Sequence, residues 1–206
     1  MGHPAGRGHA GVHQDRCRDG CAMMHVAILR ARSVRGWLIG LLLALAAPVR
    51  AEVALPAAVE VGDERLSLIR QDTIRYGGLF RVYSLGVYAP APQPLPQLLA
   101  TDASTCIEAR YHRDLAREIL IEAAHRILQR QHPAPRLQAF SDGLARLHAA
   151  YVDIRVGDSY RLCRLPDSGL TLDHNGRRVL FQPDPELARL YLGIWLGAGG
   201  ILGGDG

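Results

Sequence analysis

The hydrophobic pattern changes its period several times along this chain, and each change marks an element. From Gly78 to Tyr88 the sequence is rich in Val, Leu, Phe and Tyr. An extended backbone there sends Leu79, Arg81, Tyr83, Leu85 and Val87 to one face and Phe80, Val82, Ser84, Gly86 and Tyr88 to the other. Neither face is plainly polar, so the run predicts a strand covered on both sides, inside a sheet. The prolines of 90–96 predict a loop leaving that strand, and 106–112 reads as a second strand. Residues 115–130 carry Leu115, Ile119, Ala123 and Ile127 at helical spacing. Pro133 and Pro135 end that helix, and a second helix over 136–150 carries Leu137, Phe140, Leu144 and Leu147.

From Ser159 the period becomes two. Strands are predicted over 159–165, 170–173 and 177–181, with a turn at 166–169 and a hairpin at His174-Asn175-Gly176. Asp184 and Pro185 then open a last helix as N-cap and first residue, and Gly197 stops it. Its buried stripe is Leu187, Leu190, Tyr191 and Ile194. Strands, two helices, more strands and one helix together predict an α+β fold, an antiparallel sheet with helices packed on one face. The glycine-rich tail from about 197 has little to pack and is expected to fray.

The first strand also carries candidate chemistry. Arg75, Tyr83 and Tyr88 would supply a cation and two phenolic donors to an otherwise apolar pocket, and the small Ser84 and Gly86 would let something approach the backbone. The alternative is structural: tyrosines are common core residues with one wet end, and Arg81 can lie at an edge with its stem along apolar surface.

The amino-terminal quarter changes the picture drawn from composition. Around Met23 or Met24 begins a segment with Arg30, Arg32 and Arg35, followed by an apolar run over 37–47 and by Val49 and Ala51. These are the three parts of a secretory signal peptide, with cleavage after Ala51. The run is shorter than the ~20 residues a bilayer span needs, a retained anchor being the second reading. Residues 1–51 hold seven arginines and two carboxylates, so the formal charge of +4 becomes −1 over 52–206, with 17 arginines and 18 acids. No basic footprint for nucleic acid remains. All 24 basic residues are arginine, and their scatter along the chain reads as a solvated surface. The 155 residues of 52–206 suffice for one domain, and no linker or repeat divides them.

Other constellations are weak. Cys17 and Cys21 with His3, His9, His13 and His25 lie in a segment without hydrophobic period, so no metal is expected. His125 sits beside Glu122 and Gln129 on a helix and reads as solvated. Ser141-Asp142 lacks the strand-turn-helix context of a nucleophile. Gly197 to Gly204 opens no helix and so is not a phosphate loop, and Asp114 reads as a helix N-cap. No cofactor is expected. Cys106 and Cys163 remain after cleavage, each in a predicted strand; they are either bridged, if the strands are neighbours, or buried as free thiols.

Ordered blocks then add a resemblance. Arg75, Leu79, Phe80, Arg81, Val82, Tyr83, Gly86 and Tyr88 are followed by Tyr111-His112-Arg113-Asp114 and Glu122-Ala123-Ala124. After these come Gly157-Asp158-Ser159-Tyr160-Arg161-Leu162, Asn175-Gly176 and Gly193-Ile194-Trp195-Leu196-Gly197. Together they resemble the bacterial secreted branch of the chalcone isomerase-like family over roughly 53–197. The resemblance implies that family's fold. In its plant enzymes an arginine and hydroxyl side chains position a phenolate for addition to an unsaturated ketone within the same molecule; non-catalytic relatives hold a fatty acid with an arginine and a tyrosine. Arg75 matches the motif arginine of the bacterial branch, although gapless alignment to the plant strand puts Gln71 there. Tyr83 stands where the plant strand has threonine, and no counterpart of the plant catalytic tyrosine is found, Tyr111 lying too early on its strand.

The resemblance therefore implies a periplasmic protein that binds a small apolar carboxylate through Arg75, with Tyr83 as the hydroxyl partner and Tyr88 in reserve. The alternatives are an isomerase or lyase acting on a phenolic enone, and a non-catalytic interaction module.

Overall fold

The computed structural model describes residues 54–203. The leader-like segment, its cut after Ala51 and the Cys17 and Cys21 group lie outside the described residues. Seven strands form one sheet in strict sequence order, every neighbouring pair antiparallel. They are β1 (Ala58–Val61), β2 (Glu64–Tyr76), β3 (Phe80–Ala89), β4 (Thr105–Tyr111), β5 (Ser159–Leu165), β6 (Gly169–His174) and β7 (Arg177–Gln182). The helices are α1 (Leu95–Ala100), α2 (Arg117–Gln131), α3 (Ala134–Ala139), α4 (Ser141–Ala149) and α5 (Pro185–Leu196). Among the described residues, no helix is long and apolar enough to cross a membrane.

The inner face of the sheet carries Leu85 and Val87 of β3, Ile107 and Ala109 of β4, Leu162 of β5 and Leu170 and Leu172 of β6, all buried in one core with the helices. α5 lies at its centre with Leu187, Leu190, Tyr191, Leu192 and Ile194 buried. Its start is the expected one: Asp184 accepts the Leu187 N–H at 2.9 Å, and Pro185 occupies the first turn, where no N–H is needed. A smaller second core covers the outer face, where Val59, Val61 and Leu66 of the first two strands close over Tyr88, Cys106 and Cys163. Cys106 and Cys163 face each other directly across β4 and β5 and form a disulfide, which decides between the two states the sequence left open.

Several elements differ from the sequence expectation. The chain before Gly78 is itself a strand of 13 residues, β2, so the motif block is a hairpin. Gly77 and Gly78 both have positive φ, and the Leu79 N–H donates to the Tyr76 carbonyl, closing a two-residue turn that only glycine enters without strain. The helix expected from 115 begins at Arg117, because Leu115 instead bridges to Ile154 in both directions. Its buried residues are Ala124, Ile127 and Leu128, while Ile119 is exposed. Asp114 is not its cap: it accepts the Val156 N–H, and Asp153, remote in sequence, accepts the N–H of Arg117. The helix expected over 136–150 is broken at Phe140 into α3 and α4. The glycine tail, expected to fray, turns back on α5, with Ile201 and Leu202 N–H groups donating to the Ile194 and Trp195 carbonyls. Both side chains pack on the core.

One fully buried cation went unnoticed in the sequence. Arg164 is 1% exposed, and its guanidinium donates to the carbonyls of Leu98, Thr101 and Ala103 at 2.6–2.9 Å. It therefore staples α1 and the loop after it to β5, giving these backbone carbonyls a charged donor.

Candidate functional site

β3 distributes the three predicted site residues to three environments. Tyr83 pairs across the sheet with Ile74 and Tyr111 and points into the helix-covered layer. There its ring lies 5.4 Å from that of Tyr111, and its hydroxyl accepts the Trp195 indole N–H at 3.4 Å. Burial pushes its pKa up to about 12, the Trp195 N–H offsetting part of the rise. Tyr88, an odd number of residues further on, points to the opposite face. It is fully buried in the small outer core, and its hydroxyl has no hydrogen-bond partner among the described residues. Burial raises its pKa, as does the charge of Glu108, with Arg161 and Arg110 opposing.

Arg75 is exposed at the hairpin end of β2, opposite Arg81 and one residue beyond the Ile74–Tyr83 pair. It lines an open depression of about 590 Å³ together with Leu79, Phe80, Arg81, His112 and Arg113. Arg75 and Tyr83 are thus neighbours at one end of a strand pair, whereas Tyr88 lies five residues along β3 from Tyr83 and on its opposite face. Gln71 pairs with Gly86 on the outer face, while Arg70, shifted by a bulge at Ile69, pairs with Val87 of the inner core and binds Asp72 at 2.6 Å. That bulge has no sequence signal and puts Arg70 on the Tyr83 face.

The gap left by Gly86 is filled by the protein itself. A Cβ there would lie 2.9 Å from the Tyr88 ring, 3.0 Å from Leu68 and 3.1 Å from Leu55, so the close approach is by the residues before β1 and by β2. Beside it, Glu108 is 2% exposed and accepts two bonds from Arg161, at 2.9 and 2.7 Å, and one from Arg110 at 3.1 Å. Glu108 and Arg161 are cross-strand neighbours on the outer face and hold β4 to β5, while Arg110 reaches Glu108 from two residues along the same strand. Ser84 and His112 meet at 2.8 Å on the same face and tie β3 to the end of β4.

Beneath α5 the inner layer is aromatic. A small cavity of about 20 Å³ is lined by Ile107, Ala109, Leu162 and Leu172 with Tyr111, Tyr151, Tyr160 and Trp195. Tyr151 and Tyr160 meet edge to face with centroids 4.8 Å apart, the Tyr191 hydroxyl donates to that of Tyr151 at 3.3 Å, and the Tyr160 hydroxyl accepts the Val152 N–H at 2.8 Å. Burial raises the pKa of Tyr111, Tyr151, Tyr160 and Tyr191, so all are neutral phenols at physiological pH. The sequence reading made Tyr83 a site residue and Tyr191 part of a buried helix stripe. Tyr111, Tyr151 and Tyr160 arrive from β4, the loop after α4 and β5, and no local spacing links them.

On the outer side of the helices a groove of about 620 Å³ runs between α2, α3 and α4, with His125, His132 and His148 among its lining. Among the described residues, no cluster of three or more His, Cys, Asp or Glu is placed to hold a metal ion.

Comparison with known proteins places this geometry. The family described as chalcone isomerase-like matches residues 47–201. A crystal structure of a fatty-acid binding protein from Arabidopsis thaliana aligns with a TM-score of 0.54 at 17% identity, covering 71% of this chain and 85% of that one. At that identity the likeness is one of fold. No curated protein matches the chain in sequence.

Proposed function

The chain belongs to the chalcone isomerase-like family, and we propose that it binds a small apolar carboxylate of fatty-acid type. In this reading Tyr83 and Arg75 hold the head group, and the tail lies against the aromatic layer beneath α5. The observation that carries the reading is the lining of the inner cavity, which contains aliphatic and aromatic side chains and no carboxylate, imidazole or thiol. Acid–base catalysis needs a group poised near the working pH. A carrier needs an apolar wall and a neutral donor. Tyr83, with its pKa pushed up to about 12, stays protonated. Its hydroxyl accepts from Trp195 and keeps its own proton for donation to a carboxylate. Arg75, exposed one residue beyond the Ile74–Tyr83 pair, supplies the cation. The fold likeness to a fatty-acid binding protein adds support.

Two charge-assisted hydrogen bonds to the head would contribute about 3 to 6 kcal/mol, and each buried methylene about 0.8. The head would set orientation, and a long tail would set affinity. The cavity of about 20 Å³ has room for about one water and none for an acyl chain. Tail binding therefore requires Trp195 and its helix to give way. The same small volume favours a second reading, an interaction module whose interior is filled by its own side chains.

We place this function in the periplasm of a Gram-negative cell. The leader-like pattern over 24–51 supports export, and the Cys106–Cys163 bridge supports an oxidising compartment. Amino-terminal sequencing of exported protein should begin at Glu52. Recovery of residues before Trp37 in the membrane fraction would contradict it.

Native mass spectrometry of protein purified without added ligand tests the carrier reading. It is paired with calorimetric titration of a long-chain fatty acid and of a chalcone into wild type, Tyr83→Phe and Arg75→Leu. Co-purifying acyl chains and fatty-acid binding weakened in both variants are expected, without flavanone formation. Chalcone turnover would replace the carrier with an isomerase, and binding of neither compound would leave the interaction module.

A further inference from the structure

The end of α5 is held by a side chain from another helix. Gln131, the last residue of α2, donates from Nε2 to the Gly193 carbonyl of α5 at 2.8 Å and to the Ala198 carbonyl just beyond it at 3.1 Å. One amide thus clasps both the helix end and the segment that leaves it. That segment, 197–203, lies against the helix it has left: the Ile201 and Leu202 N–H groups donate to the Ile194 and Trp195 carbonyls. A Cβ on Gly200 would lie 2.8–2.9 Å from the carbonyl oxygens of Gly197, Gly193 and Ile194, and one on Gly203 would lie 2.2 Å from that of Gly197. The glycines that predict fraying in the sequence are therefore what let the segment seat.

The clasp can be undone at little cost. The Oε1 atom of Gln131 is buried without a hydrogen-bond partner among the described residues, a desolvation cost relieved as soon as water reaches it. Water is at hand, since Gln131 lines an open depression of about 300 Å³ with Gly193, Gly197 and Ala198. Two residues after Gly193, Trp195 lines the inner cavity and reaches the Tyr83 hydroxyl only at 3.4 Å. The turn that the clasp holds is thus the turn carrying the indole wall of the cavity. From this arrangement we propose that Gln131 is a positioning residue for the inner cavity. Its clasp and the glycine segment hold the last turn of α5 as a gate whose leaf is Trp195. An apolar chain enters when the clasp opens, and the clasp stays open in the loaded protein, because the closed cavity has no room for such a chain. What passes the gate rests on the carrier reading; the clasp itself needs no ligand.

Two variants loosen the gate by different routes. Gln131→Met keeps the side-chain length and removes both bonds, and Gly200→Ala prises the segment off without altering the amide. Both are compared with wild type in chains carrying Trp37→Phe, which leaves Trp195 as the only tryptophan. Each should raise acrylamide quenching of Trp195 and speed hydrogen exchange of the Ile201 and Leu202 amides about tenfold, while amides of β3 and β4 keep their rates. Oleate should bind the variants about tenfold more tightly, since the open form no longer has to be drawn from a closed majority. Loss of a merely structural residue would weaken binding instead. Unchanged quenching and exchange, faster exchange throughout the sheet, or oleate bound by wild type and no more tightly by the loosened variants would overturn the proposal. If neither wild type nor variants take up oleate, the carrier reading fails, and faster quenching and exchange still uphold the clasp over Trp195.

Discussion

The Trp195 indole N–H on α5 meets the hydroxyl of Tyr83 on β3 at 3.4 Å, joining residues 112 apart in sequence across the helix–sheet interface. Through this hydrogen bond the last helix reaches a candidate head-group donor. Tyr83→Phe removes the acceptor and leaves the indole N–H without it, at a cost of about 1 kcal/mol in stability. Under the proposed function it should also weaken a fatty acid about tenfold, the value of one hydrogen bond to a charged group. Urea unfolding and calorimetric titration read the two effects separately. Unchanged affinity in a folded variant would remove Tyr83 from the site.

Tyr88 should behave in the opposite way. Its hydroxyl is buried on the outer face without a partner among the described residues, so Tyr88→Phe removes a desolvated polar group and breaks no hydrogen bond. Stability is expected to hold or rise by up to about 1 kcal/mol, with ligand affinity unaltered. A loss of more than that in thermal unfolding would show that the hydroxyl has a partner in solution.

The Cys106–Cys163 bridge closes a separation of 57 residues between directly paired positions. In the chain-entropy account, such a loop contributes about 4 kcal/mol by restricting the unfolded state. Reduction should lower the denaturant midpoint accordingly without changing the sheet seen by circular dichroism at low denaturant. Peptide mapping without reduction should recover the two cysteines as one linked pair; finding both alkylated would refute the bridge.

His148 and His132 predict a fall in stability on the acid side of neutrality. Burial lowers the pKa of His148 below its ordinary 6.5, helped by the nearby His125, and burial followed by Arg136 lowers that of His132. The unfolded chain then takes up protons first as pH drops through about 6.5. Stability rises with pH across the window from the lowered folded values up to 6.5, and is lost as pH falls through it. Denaturant midpoints at pH 7.5 and 5.5 should show this slope, and His148→Gln should flatten it. An equal slope in the variant would assign the effect to other groups.

Local pattern alone determined much of the framework. The period of two from Ser159, the Asn-Gly turn and the Asp184-Pro185 start are short-range physics, and β5, β6, β7 and α5 stand where those signals put them. The Gly77-Gly78 turn was equally legible, since two adjacent glycines between apolar runs are a hairpin signal. Reading the block as one strand missed β2. Other features had no local sign. The Leu115–Ile154 bridge and the Asp153 acceptor moved the start of α2, and the break at Phe140 divided a continuous apolar stripe.

The motif block placed Arg75, Tyr83 and Tyr88 close together in sequence, and strand parity already sends Tyr83 and Tyr88 to opposite faces. Only the tertiary structure decided what those faces are: α5 and four further tyrosines for Tyr83, the first two strands and a disulfide for Tyr88, and open solvent beside two other arginines for Arg75. Alternation along a strand is a backbone property and can be counted from the sequence. What covers each face depends on chain segments tens of residues away, brought there by sheet order and burial.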